Sequence, residues 1–239
     1  MQAVTGGRNK VAGVSHLTFV KNLDHGLCAG ASIPAVPDLC GHFYGLHTEE
    51  LAHMCSLPAR RAASWGAGRL ALREAASRAG LLLDRPVFST PRGAPSIPLA
   101  FSASISHKQS GDQVHAVAIV CDGRWSVGVD LEIVEPSRRS IEKVVLTRGE
   151  IMEMEALPGD TRWFETLLRF SIKESIYKAI DPFVGRYVDY LDLSVFPGPG
   201  GRVEVRWENR PAGLPSDVEA RWEQFEDRIL TTARVARKN

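Results

Sequence analysis

The sequence predicts an α+β protein, and three observations carry that expectation. Two helical stretches, over residues 58–80 and 163–180, are set among short strand-like runs; several of those runs alternate apolar and polar residues with a period of two; and 239 residues with 44% hydrophobic and 24% charged content suffice for a buried core, in one large domain or two smaller ones.

The elements follow in chain order. The first ten residues read as a tail, and Leu17-Thr18-Phe19-Val20 as a short strand. Residues 26–37, punctuated by glycine and proline, read as loop. Over 58–80, Ala62, Trp65, Leu70 and Leu72 recur at helical spacing among arginines, which predicts an amphipathic helix with a basic face that stops at Gly80. Pro86, Pro91, Pro95 and Pro98 then exclude helix and central strand alike and predict an ordered irregular loop. Residues 114–121 and 125–134 are apolar runs joined by Asp122-Gly123, the turn chemistry of a β-hairpin. A charged region follows Pro136, and the second helix should end at Asp181-Pro182, because a residue before proline avoids helical angles. From Leu191 onward, runs such as 203–207 and 229–235 suit antiparallel strands, and no short-period repeat interrupts the chain.

Composition excludes several functions. Twenty-nine Lys and Arg against 28 Asp and Glu leave a net charge of +1, so no global field recruits nucleic acid or an anionic membrane, and any anion site is local. Cys28, Cys40, Cys55 and Cys121 form neither a C-x-x-C pair nor a metal knuckle, which predicts reduced thiols in a cytoplasm. The N-terminal residues hold no apolar stretch with a cleavage site, and nowhere do about eighteen apolar residues run together, so neither secretion nor a membrane span is expected.

Four groups of residues carry candidate chemistry. In Gly128-Val129-Asp130-Leu131-Glu132, strand alternation puts Asp130 and Glu132 on one face, a carboxylate pair suited to a hard divalent cation or simply the polar face of a half-exposed strand. In Phe170-Ser171-Ile172-Lys173-Glu174-Ser175-Ile176-Tyr177-Lys178, Glu174 and Lys178 are four apart on one helical face, as an acid and base at a site or as a surface ion pair. Ser102, Ser104, Ser106 and His107 bunch hydroxyls and an imidazole after the proline-rich loop, where they can bind a phosphate, or His107 is structural. A serine hydrolase is disfavoured, since there is no G-x-S-x-G elbow. Arg61, Arg69 and Arg92 suit an extended polyanion or a solvated surface. His42, His47 and His53 match no zinc spacing.

Taken in order, these groups span residues 57–190 and resemble the Sfp-type 4'-phosphopantetheinyl transferases, particularly the branch with the enterobactin synthetase component D. The resemblance runs through 61–69, 92–98, 104–107, 128–132 and 170–178. It implies a pseudo-twofold pair of similar α/β halves, 1–124 with the coenzyme A phosphate ligands and 125–239 with the metal and catalytic residues, and an active site in the cleft between them. It implies that Asp130, Glu132 and Glu174 ligate Mg2+; that Arg61, Arg69, Arg92, Ser106, His107 and Lys178 hold coenzyme A; that Glu174 takes the proton of a serine on an apo acyl or peptidyl carrier protein; and that Lys178 stabilises the departing 3',5'-ADP. The implied protein is a cytoplasmic monomer serving nonribosomal peptide, polyketide or siderophore assembly. Phe170 stands where many relatives have tryptophan, Ile97 where an aromatic is common, and Lys108 where a small residue is frequent. The alternative is a non-catalytic module that binds coenzyme A or a carrier, whose sign would be a lost carboxylate or lysine; all are present.

Overall fold

In a computed structural model, which describes residues 16–35, 43, 45–135 and 141–237, the chain forms two antiparallel sheets, each backed by one long helix. The tail expected over residues 1–10, Cys40 and His42 lie outside those residues. The first sheet has the order β1-β2-β4-β3, from β1 (Leu17–Leu23), β2 (Gly26–Pro34), β3 (Phe101–Ser110) and β4 (Gln113–Asp122). The second has the order β5-β9-β8-β7-β6, from β5 (Trp125–Ile133), β6 (Leu193–Pro197), β7 (Arg202–Trp207), β8 (Val218–Phe225) and β9 (Arg228–Ala236). Helices α1 (Thr48–Cys55) and α2 (Ala59–Arg78) belong to the first half; α3 (Glu142–Val145), α4 (Arg148–Met154) and α5 (Gly159–Val184) belong to the second. The class is α+β, as expected.

Alternation along the strands divides the core. In β4, Ala118 and Val120 face α2, while Val117 and Ile119 join Cys28, Val127, Val129, Leu131 and Leu230 in a layer between the sheets. Helix α2 lies close because its buried face is small: Ala62, Ala63, Ala67, Ala71, Ala75 and Ala76 are all fully buried. At Gly68 a Cβ would stand 2.8 Å from Ile105 Cγ2. Alanine also has the best helix propensity, so one residue type serves both the backbone and the packing.

Three expectations are corrected. The region read as loop over 26–37 forms β2 through Pro34, fully paired with β4; its small residues, Ala29, Gly30 and Ala31, fit under neighbouring side chains rather than marking a turn. The two runs around Asp122-Gly123 are strands but not a hairpin. Strand β4 already has β2 on one side and β3 on the other, so β5 has no edge to join and pairs with β9 instead. The turn therefore crosses between sheets, and at Gly123 the amide donates to Ala100 O at 2.8 Å, where a Cβ would stand 2.5 Å from Leu99 O. Finally, α5 runs through Pro182 and ends at Gly185, which is left-handed at φ 62°. Burial of Ile176, Ala179 and Ile180 against the second sheet outweighs one missing amide in the last turn.

Several elements gave no sequence expectation. Both α1 and α4 start on capping boxes, at His47 with Glu50 and at Thr147 with Glu150. Residues 101–110, read only as a polar cluster after a loop, are β3. Its serines stitch the sheets together: the amides of Val127 and Val129, on the free edge of β5, donate to Ser102 Oγ and Ser104 Oγ at 3.1 Å each. No helix among the described residues is long and apolar enough to cross a membrane.

Candidate active site

Where β3 and β5 run side by side, the charged residues gather. Asp130 on β5 is 4% exposed and accepts three hydrogen bonds. Ser106 Oγ and Lys178 Nζ each lie 2.8 Å from Oδ1, and Ser171 Oγ lies 2.9 Å from Oδ2. Lys178 also donates to Val129 O at 2.9 Å, so α5 grips both the backbone and the carboxylate of β5. The close approach depends on Gly128, where a Cβ would stand 1.9 Å from Ser175 O.

Glu132, two residues on and equally buried, has Lys108 Nζ 2.7 Å from Oε1. Burial and then the charge of Asp130 nevertheless push its carboxyl up to about 7, outweighing the pull of Lys108 and Lys178. Both faces of β5 are therefore buried, and the pair is not the polar outer face of an exposed strand.

Glu174 sits one turn before Lys178 on α5, and its Oε1 accepts the hydroxyl proton of Tyr190. The neighbouring Lys173 is fully buried, with Nζ donating to Val145 O, Glu150 Oε2 and Tyr190 O at 2.8–2.9 Å. Burial, and then the bond to Glu174, hold the Tyr190 phenol above its ordinary pKa.

Of the three carboxylates, Asp130 and Glu132 form a like-charged pair, while the Glu174 carboxylate is engaged by Tyr190. Among the described residues no three His, Cys, Asp or Glu side chains come together as a metal-holding group. The donor chemistry of Asp130 and Glu132 fits a magnesium ion, which takes one or two carboxylates and completes its shell with water and phosphate oxygens. Two buried like charges favour a counter-cation, and the ammonium groups of Lys178 and Lys108 serve that purpose in this arrangement.

The basic residues divide three ways. Arg61 is exposed on the first turn of α2 and close enough that its charge, after desolvation and ahead of Lys178, keeps the His107 imidazole below its usual pKa. Arg69 is buried: Nε donates to Val87 O at 2.6 Å and the guanidinium reaches Ser89 Oγ at 3.1 Å and stacks 4.5 Å from the Trp65 ring. It holds the proline-rich loop to α2. Arg92, on that loop, reaches across to α5, where Nε lies 2.9 Å from both carboxylate oxygens of Asp181. Between loop, β3, β5 and α5 lies a cavity of about 520 Å³, with Thr90, Arg92, Ile97, Tyr177, Lys178 and Asp181 on its walls. That volume suits an organic ligand of cofactor size.

Ser106 and His107 are neighbours in sequence only. On β3 they point to opposite faces, Ser106 against Asp130 and His107 away from it, so they form no nucleophile and base dyad. Sequence reasoning missed Ser171, Asp181 and Tyr190. Ser171 lies seven residues before Lys178, on the same helical face, and that spacing was a usable signal; Tyr190 lies beyond the helix and gave none.

Fold and cleft together define a two-sheet α+β protein whose N-terminal half brings basic side chains to acidic ones on its C-terminal half. Residues 126–233 match the family model of the 4'-phosphopantetheinyl transferase superfamily, and residues 48–120 that of the 4'-phosphopantetheinyl transferase N-terminal domain. The 4'-phosphopantetheinyl transferase Svp of Streptomyces mobaraensis is 30% identical over 207 residues, covering 80% of this chain and 79% of that protein. The holo-[acyl-carrier-protein] synthase of Limosilactobacillus fermentum is 31% identical over 86 residues, 33% of this chain and 71% of that protein. The crystal structure of the holo-ACP-synthase from Plasmodium yoelii aligns with a TM-score of 0.40 at 18% identity, over 47% of this chain and 94% of that one. The chain belongs to the 4'-phosphopantetheinyl transferase superfamily.

Proposed function

We propose that this protein transfers the 4'-phosphopantetheine arm of coenzyme A to a serine of an apo acyl or peptidyl carrier protein, giving the holo carrier and 3',5'-ADP, with Mg2+ as the metal. The observation that carries the reading is Lys178, which stands on the wall of the cavity and pairs with the buried Asp130, two residues from Glu132, in a chain of this superfamily. Asp130 and Glu132, joined by Glu174, would hold the ion. An ion held there would supply charge neutralisation for the pyrophosphate.

The remaining work belongs to the chain. A primary hydroxyl is a poor nucleophile at neutral pH, and Glu174 takes its proton, directly or through water. Lys178 stabilises the charge that develops on the departing 3',5'-ADP. Arg61 and His107 hold coenzyme A phosphates, and Arg92 joins them once it leaves Asp181. Arg69 acts through the loop it anchors, and Ser106 through Asp130. The division between residues 1–124 and 125–239, a monomeric cytoplasmic enzyme, and service to nonribosomal peptide, polyketide or siderophore assembly are parts of the same proposal.

The test is intact-mass measurement of a panel of apo carrier proteins incubated with the protein, coenzyme A and Mg2+. At least one carrier should gain the mass of the arm, and no gain across acyl and peptidyl carriers would overturn the reading.

A further inference from the structure

Beyond the residues that touch substrate, the geometry points to Tyr190 as a positioning residue for the Glu174 carboxylate. The inference rests on the reading of Glu174 as proton acceptor.

Tyr190 opens a short 3-10 turn, Tyr190–Asp192, that follows α5, and its hydroxyl donates to Glu174 Oε1. A phenol is protonated at neutral pH, so against a carboxylate it acts as donor. The bond engages one carboxylate oxygen, Oε1, and leaves the other open towards the ion and the serine proton, which it takes directly or through water. A glutamate side chain has three rotatable bonds, and a base must lie within about 3 Å of the hydroxyl it deprotonates, so fixing one oxygen selects the rotamer from which the other can act.

Tyr190 is itself held from three sides. Lys173, the residue before Glu174, donates from Nζ to Tyr190 O at 2.9 Å, so consecutive residues of α5 take the main chain and the side chain of the same tyrosine. The Lys173 ammonium is in turn locked to Glu150 at 2.8 Å, and Glu150 accepts the amides of Thr147 and Val195 at 2.7 and 2.9 Å. The ring lies 5.7 Å from Phe170 and 5.2 Å from Tyr177, centroid to centroid. The turn is closed by Asp189, whose carboxylate accepts the Leu191 amide at 3.0 Å. A surface tyrosine meeting a carboxylate by chance needs none of this support; a strut does.

The experiment compares Y190F and E174Q with the wild-type full chain, measuring steady-state transfer with varied coenzyme A and varied carrier, and thermal melting. Phenylalanine keeps the ring contacts and removes only the hydroxyl. Y190F should lose roughly tenfold or more in kcat, the size of a hydrogen bond to a charged group, with both KM values and the melting midpoint unchanged. Wild-type kcat in Y190F overturns the inference while leaving the Glu174 reading intact if E174Q is inactive. A loss that comes with a lowered melting midpoint or raised KM values also overturns it, because that marks a structural role. Full turnover in E174Q overturns the Glu174 reading and the inference with it.

Discussion

Lys178 Nζ stands 2.8 Å from Asp130 Oδ1 and 2.9 Å from Val129 O, so one lysine of α5 is fixed to both the main chain and the acid of β5. The Lys178 side chain stays 30% exposed in the cleft while that of Asp130 is 6% exposed. A mobile lysine would have to be ordered by substrate; this one is already placed, and the ordering cost is met in folding.

Asp130 is accordingly the common acceptor of three donors. In D130A the Ser106 and Ser171 hydroxyls and Lys178 lose their common acceptor in a buried setting, which costs about 1–3 kcal/mol of stability for an unsatisfied group. D130N keeps the shape and removes the charge. Both should abolish transfer, with the melting midpoint falling further in D130A. Normal transfer by D130N would refute the role given to this carboxylate.

Lys173 tests the packing beneath the site. It is fully buried with Glu150, also fully buried, and breaking such a pair by removing one partner costs about 3–5 kcal/mol. K173M should therefore lower the denaturation midpoint strongly, and the E150Q/K173M pair should recover part of that loss because no lone charge remains. Equal midpoints for the single and double variants would sink this account.

Which candidate side chains share a face was legible in the sequence because strand alternation and helical period place side chains without knowledge of the fold: Asp130 with Glu132, Glu174 one turn from Lys178. Pairing was not. Asp122-Gly123 has the chemistry of a hairpin turn, and nothing local reveals that β2 and β3 already occupy both edges of β4. Residues 26–37 read as loop because small residues mark turns as well as close packing. Burial was equally hidden, so Arg69 and Ser104 were recognisable as phosphate-binding types but not as residues committed to Val87 O and the Val129 amide. Tyr190 was invisible because its bond to Glu174 depends on how the chain returns after α5.

His25 predicts an acid limb of stability. It is 2% exposed, with Nδ1 2.9 Å from Thr232 Oγ1, while Nε2 makes no hydrogen bond and lies 4.0 Å from Glu219 Oε2, whose charge only partly offsets the burial. Burial, then the charge of Arg234, lowers its pKa from 6.5 to about 4. The unfolded chain thus takes up this proton first. The stability from a neutral His25 is fully present above about 6.5 and is lost as the pH falls to about 4, a loss of up to about 3 kcal/mol. Urea midpoints should drop across that window, and the drop should be smaller in H25Q. Parallel curves for the two proteins would assign the acid limb to other groups.

Arg92 and Asp181 give the last prediction, which concerns substrate entry. The Arg92 guanidinium lies on the proline-rich loop and Asp181 on α5, so their ion pair ties the two walls of the cavity, and both are solvent-accessible. An exposed pair contributes little to stability, and its partner can be exchanged. A phosphate is a bidentate acceptor like the carboxylate, so under the proposed reading coenzyme A would compete with Asp181 for Arg92. Removing the competitor should help the substrate: D181N is expected to lower the KM for coenzyme A a few-fold with kcat and melting midpoint little changed, whereas R92A should raise it. If D181N instead raises the KM as R92A does, the ion pair shapes the cavity for coenzyme A, and Asp181 is a support for Arg92 rather than its rival.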